Sequence, residues 1–329
     1  MDTTRRGALA GLGAIGAMAA WPRAALAQAA WSPTKPIKLV VAYPAGGPTD
    51  VIARLVAQEI SGPLGQNVVV ENVGGAAGAL GTRQVAKAEP DGHTITFGNN
   101  QTHGNNMFML KDPGYDAVKD FAPLAGVGAF EHVFVTRKTL PVKGIQDVIA
   151  LAKEKPGALN YGSTGIGSGS HLSTELFMAR TGIKMTHVPY RGAAPLVQDL
   201  MGGTIDIANS TLSSVIAQIQ SGDLNGVAIG SPKRNPKLPE VKTLQEQGVT
   251  GADASSWTAF FAPAGVPAPA RDRLSREIIA ALRKPETVAA LDKIGFTVAI
   301  IEPDQFRAYQ VKEIEVWTDI ARQAGIKSE

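Results

Sequence analysis

Cysteine is absent from all 329 residues. The chain therefore forms no disulfide, and thiolate chemistry is excluded. Five histidines occur, His93, His103, His132, His171 and His187, and no two of them stand four apart with a glutamate between. No metal site is expected from that spacing. A phosphate-binding G-x-x-x-x-G-K-[S/T] loop is also missing. The dinucleotide pattern G-x-G-x-x-G starts at Gly165–Ile166–Gly167 but meets Ser170 where its last glycine belongs. Nor is there a G-x-S-x-G nucleophile elbow, since Ser163 and Ser168 each directly follow a glycine. No cofactor is expected.

The N-terminus reads as a removable leader. Arg5 and Arg6 precede an uncharged run, Gly7 to Ala20, and Ala25–Leu26–Ala27 forms an A-x-A cleavage signal. That run is shorter than the roughly 20 apolar residues a spanning helix needs. Residues 1–27 are thus expected to be a signal peptide, sending the chain to the periplasm by the twin-arginine or the general secretory route. The formal charge is +3, and this segment carries three arginines and one aspartate, so the remainder carries only +1. A nearly neutral surface offers no broad field for nucleic acid. No later apolar run approaches the length of a membrane span.

What is present is alternation. Ile37–Ala42 reads as a short buried strand and runs into Tyr43–Pro44–Ala45–Gly46–Gly47–Pro48–Thr49–Asp50. A helix follows with Ile52, Leu55, Val56 and Ile60 on one face. Strands at 68–70 and 94–97 flank a helix over 76–88. After a strand at 133–136 and a helix at 145–152, the strand 159–162 enters a second glycine-rich loop, Ser163 to His171. Strands at 185–188, 204–208, 224–229 and 257–262 then alternate with helices at 194–201 and 212–220. Two helices, near 268–283 and 304–324, close the chain. This spacing predicts an α/β protein with largely parallel sheets flanked by helices. Two units are expected, 36–130 with 256–329, and 131–255.

The two loops are the candidate site. A glycine turn after a strand lets backbone N–H groups point outward, and the following helix N-terminus adds unpaired donors and a positive dipole end. Such a cradle binds an anion without lysine or arginine. Ser163, Thr164, Ser168 and Ser170 add hydroxyls. Asp50 is expected to hold the first loop by accepting backbone N–H bonds. His171 either touches a ligand or caps the turn. Arg191 is either a counter-ion or a surface arginine packed by its stem. Asn99, Asn100, Gln101, Thr102 and His103 follow one strand end and Asn209, Ser210 and Thr211 another, so both groups are placed at the cleft.

These segments together resemble the Bug-type extracytoplasmic solute-binding receptors of tripartite tricarboxylate transporters. The resemblance runs through Val41–Asp50, Glu71–Ala76, Pro90–Thr94, Tyr161–Ser168, His171–Leu172, His187–Gly192, Gly202–Asp206, Trp257 and Ala262–Pro267, in order. It implies a two-domain Venus-flytrap, or periplasmic-binding-protein, fold that grips a small organic carboxylate between its domains. By the same resemblance Ala45, Gly46 and Gly47 belong to one gripping loop, and Ser163, Thr164 and Gly165 to the other. Asp50 and His171 match by position, while Tyr43 stands where the family usually has phenylalanine. The implied partners are membrane permease subunits, with the receptor expected to act as a monomer and not as an enzyme. The competing reading is an exported α/β hydrolase using Ser163 or Ser168.

Overall fold

A computed structural model describes residues 31–231, 233–252, 255–323 and 325. The expected leader and its cleavage site lie outside the described residues. In the first part of the chain the order is β1 (Ile37–Val41), α1 (Pro48–Leu64), β2 (Val68–Asn72), α2 (Ala79–Ala86), β3 (Thr94–Asn99), α3 (Asn106–Met109) and β4 (Phe121–Arg137). Next come α4 (Ile145–Glu154), β5 (Asn160–Ser163), α5 (Gly169–Thr181), β6 (Thr186–Pro189), α6 (Ala193–Gly202), β7 (Ile207–Thr211), α7 (Leu212–Ser221) and β8 (Leu224–Ile229). The chain closes with β9 (Ser255–Pro263), α8 (Ala268–Leu282), α9 (Pro285–Lys293), β10 (Phe296–Ile301) and α10 (Pro303–Gln323).

The strands and helices form a two-lobed α/β fold. In one lobe β1 lies between β2 and β3, parallel to both, with Val41 beside Asn72 on one side and Phe97 on the other. In the second lobe β5 lies parallel to β6 and β7. Strands buried on both faces read as apolar runs, and β1 fits, with only Lys38 exposed. The sheets are mixed where the lobes meet. Strand β9 runs antiparallel to β3 and to residues 121–131 of β4, while residues 132–137 of β4 pair antiparallel with β7 and β8. A single 17-residue strand thus serves both lobes.

Each lobe has its own apolar packing. Leu39, Val41, Ile52, Val56, Phe97 and Phe260 meet in the first. Phe134, Tyr161, Phe177, Ile207 and Ala228 meet in the second. The alternation expected for α1 holds: Ile52, Val56 and Ile60 are fully buried, and Pro48 opens the helix where its missing N–H costs nothing.

Four elements differ from the sequence reading. Strand β4 begins at Phe121, not near 133, because Pro123, Gly126 and Gly128 interrupt its apolar pattern at bulges. The helix expected over 76–88 is shorter, since Ala76 and Ala77 adopt positive φ and α2 starts only at Ala79. Gln101–Asn105 forms one wide helical turn. The C-terminal part contains three helices and a strand: Pro285 starts α9 anew, and β10 pairs with β4, Phe296 facing Phe130.

Candidate ligand-binding site

The loop between β1 and α1 is held from behind. Gly46 has φ +83°, a left-handed conformation suited to glycine. Its N–H donates to Asp50 Oδ2 at 2.9 Å. Arg54 Nε donates to the same oxygen at 3.0 Å, and Asn72 Nδ2 donates to Asp50 Oδ1 at 2.9 Å and to the Tyr43 carbonyl at 3.1 Å. Burial tends to raise the Asp50 carboxyl. The bonds from Arg54, Gly46 and Asn72 outweigh it and hold the carboxyl below its ordinary value. Asp50 is buried and does not line the cavity. Among the described residues, the N–H groups of Ala45, Gly47 and Thr49 bond to no protein acceptor. The open donors of this loop therefore alternate with one that Asp50 consumes.

The second loop satisfies itself. Ser168 caps α5 by accepting the His171 N–H at 3.2 Å, and Ser170 Oγ accepts the Thr164 N–H at 2.9 Å. The Gly165 N–H goes to Ser163 Oγ, the Gly167 N–H to His171 Nδ1, and the Ser168 N–H to the Gly165 carbonyl. What stays open, among the described residues, is the Ile166 N–H in the turn and, in the first turn of α5, the N–H groups of Gly169 and Ser170.

Both loops line one cavity of about 300 Å³. Its wall also includes Gly192 to Pro195, the first turn of α6, and Thr211, which precedes α7. Four helix N-termini (α1, α5, α6 and α7) therefore converge on one space, and their dipoles favour an anion there. A second cavity of about 700 Å³ adjoins it, lined in part by Gly74 to Gly78 and by Gly165. Arg191 reaches both, and among the described residues it is the one lysine, arginine, aspartate or glutamate on either wall.

The sequence-predicted residues separate into two groups. Tyr43, Ala45, Gly46, Gly47, Gln101, Thr164, Ser168 and Arg191 line the 300 Å³ cavity, and Gly165 lines its neighbour. Asp50, Thr102, Ser163, His171 and Asn209 lie behind these walls. Thr102 is fully buried, accepting the Asn99 N–H and pairing with His103 Nδ1 at 2.9 Å. Ser163 is 0 % exposed, its Oγ 2.6 Å from His187 Nε2. The His171 ring stacks on His187 with centroids 4.2 Å apart. Burial, with a smaller push from His187, pulls the His171 pKa down to about 3, and burial alone takes His187 to about 4. Both rings are neutral at pH 7, and His171 is a loop support. Asn209 Oδ1 accepts from His132 Nδ1 at 3.2 Å.

Tyr43 does not present a free hydroxyl. Its oxygen sits 3.0 Å from Asn99 Oδ1 and 2.8 Å from Gln101 Oε1, and burial raises its pKa. Gln101 Nε2 in turn donates to the Ile166 carbonyl at 2.8 Å, and Asn105 Nδ2 to the Gly167 carbonyl at 2.9 Å. These bonds join the two loops' supports across the cleft. Sequence reasoning missed Phe130, His132 and Ser256, which line the cavity from the crossing strands, and the first turn of α6. A Gly192 N-cap before Ala193–Ala194–Pro195 was a readable helix-start signal. His132 and Ser256 carried no comparable signal.

Residues 52–326 match the family described as tripartite tricarboxylate transporter family receptor. BugT of Bordetella pertussis is 36% identical over 296 residues, spanning 90% of this chain and 91% of that protein. The structure of R. palustris Rpa4515 with adipate superposes with a TM-score of 0.87 at 33% identity, covering 90% of this chain and 99% of the other. MatC (Rpa3494) from Rhodopseudomonas palustris with bound malate gives 0.82 at 31% identity, covering 88% and 99%. With this arrangement of loops and helix N-termini goes a sequence match over most of the chain: it belongs to the receptor family of the tripartite tricarboxylate transporters.

Proposed function

We propose that this chain is a periplasmic receptor that captures a small organic carboxylate between its lobes and presents it to the permease subunits of a tripartite tricarboxylate-type transporter. The observation that carries this reading is the convergence of four helix N-termini, with open N–H groups from both loops, on one cavity with no acidic side chain among its described lining residues. That two structures of similar proteins hold adipate and malate supports the carboxylate class. Residues 1–27 act as the export signal. The lobes are 36–130 with 256–329, and 131–255, and they close by bending at β4 and β9. The receptor acts as a monomer.

The receptor does no chemistry on its ligand. Ser163 and His187 form a hydrogen-bonded pair, but Ser163 is buried and absent from both cavity walls. Ser168 reaches the cavity, yet its oxygen is engaged as the α5 cap and by Ser170. Neither is an activated, accessible nucleophile. A thermal-shift screen against mono-, di- and tricarboxylates tests the reading. Saturating ligand at 100 times Kd stabilises by about 2.7 kcal/mol, a shift of several degrees. If no carboxylate raises Tm, the receptor reading is wrong; recovery of a chemically altered ligand would favour the hydrolase.

A further inference from the structure

The floor of the cavity, where the lobes join, holds a polar group that the loops do not explain. Asn100 is 1 % exposed and lines the cavity, yet neither its Oδ1 nor its Nδ2 has a partner among the described residues. Its backbone is fixed, with the N–H donating to the Trp257 carbonyl of β9 at 3.1 Å and the carbonyl accepting the Asn105 N–H. Beside it stand Ser256 and His132, also cavity-lining and also buried. All three converge on Gly169, where an added Cβ would collide with Ser256 Oγ and lie 3.3 Å from both Asn100 Nδ2 and His132 Cε1.

The hydrogen-bond polarity of this floor can be assigned. His132 Nδ1 lies 3.2 Å from Asn209 Oδ1, an acceptor, so Nδ1 carries the proton. Burial keeps the ring neutral, with its pKa pulled down to about 4. His132 Nε2 is therefore an acceptor, and Ser256 Oγ, 2.8 Å away, donates its proton there. Ser256 is left with lone pairs only. The floor thus offers one donor, Asn100 Nδ2, and two acceptors, Asn100 Oδ1 and Ser256 Oγ. A carboxylate, which only accepts, satisfies half of that set. A hydroxyl, which donates and accepts, satisfies both halves.

We propose that Asn100 and Ser256 form a second polar subsite that receives a hydroxyl group of the bound carboxylate, so that the receptor selects hydroxycarboxylates over their deoxy counterparts. This rests on the carboxylate reading given above. A site built to bond a hydroxyl discriminates against the analogue that lacks it, because its buried polar groups are then left unpaired.

Calorimetric titration of the purified protein with malate and succinate, lactate and propionate, and 3-hydroxybutyrate and butyrate tests it. The hydroxy member of at least one pair is expected to bind about tenfold tighter or better. Asn100→Leu should erase that difference, and Ser256→Ala should reduce it, with Tm confirming that each variant folds. Equal affinities within every pair that binds, or discrimination surviving in Asn100→Leu, overturns the subsite and leaves the carboxylate reading standing. No binding by any of the six acids, together with an empty thermal-shift screen, overturns both. The paired titrations need no variant, so they decide the matter even if Asn100→Leu misfolds.

Discussion

The two glycine-rich loops share one plan, strand, tight turn, helix, and are stabilised by opposite means. The loop after β1 hangs on a charged anchor: Asp50 gathers the Gly46 N–H, Arg54 and Asn72. The loop after β5 contains no charged side chain. Ser163, Ser168, Ser170 and His171 close it with neutral bonds. An anion site gains from both designs. A carboxylate beside the first loop is tolerable because its charge is consumed behind the wall. Neutral hydroxyls in the second leave the dipoles of α5 and α6 uncompensated in front.

The largest effect should come from removing the charged anchor. Asp50→Ala leaves the loop without its buried organiser and is expected to cost about 2–3 kcal/mol, with loss of ligand binding, measured by urea unfolding and titration. The pH dependence has a definite sign. Because the Asp50 carboxyl titrates lower in the folded chain, its contribution is present above the ordinary carboxylate pKa and is lost as pH falls through its folded value. An Asp50→Ala protein that melts like the parent would remove the distinction between the loops.

The second loop should answer to a different pH range. His171 titrates near 6.5 when unfolded and about 3 when folded, so the unfolded chain binds the extra proton between these values. Stability therefore falls as pH drops below about 6.5, on the order of 1–2 kcal/mol by pH 5. In His171→Asn, which keeps an acceptor for the Gly167 N–H, this loss should shrink. Melting curves at pH 7 and pH 5 decide it; an unchanged pH dependence in the variant would show that His171 is not responsible.

Two smaller effects sharpen the contrast within the first loop. Gly46→Ala meets no steric obstacle, since nothing lies within 4 Å of the added Cβ, so only its positive φ is penalised. About 1 kcal/mol of destabilisation is expected, with weakened ligand binding through the shifted Ala45 and Gly47 donors. Tyr43→Phe should matter least, at or below about 1 kcal/mol. Asn99 Oδ1 still accepts the Gln101 and Thr102 N–H groups without it. A large loss of affinity in Tyr43→Phe would mean the hydroxyl contacts ligand rather than Gln101.

Much of the fold was legible because buried parallel strands and glycine turns leave local marks. Ile37–Val41 and Pro48 announced β1 and α1, and both loops stood where the structure has them. The length of β4 was hidden because bulges at Pro123 and Gly128 break strand periodicity. For the site, sequence showed which loops matter but not which donors are already spent. Gly46 and Gly165 look like gripping residues until Asp50 and Ser163 are seen accepting their N–H groups. Asn209 and Ser163 face inward because strand alternation, not residue type, sets their side. His132 and Ser256 became visible only through β4 and β9, which bring residues 124 apart within 2.8 Å.

The placement of β9 also bears on how the molecule is built during synthesis. Strands β5 to β8, their helices and the end of β4 are contiguous, so the second lobe can assemble while later residues are still being added. The first lobe cannot, because β9 lies between β3 and β4 in the sheet. Until residue 263 has been made, β1 to β3 have a bare edge, an exposed template for mispairing. A chain that must stay unfolded to be threaded through a membrane would gain from that delay, because one half of its cleft cannot close early.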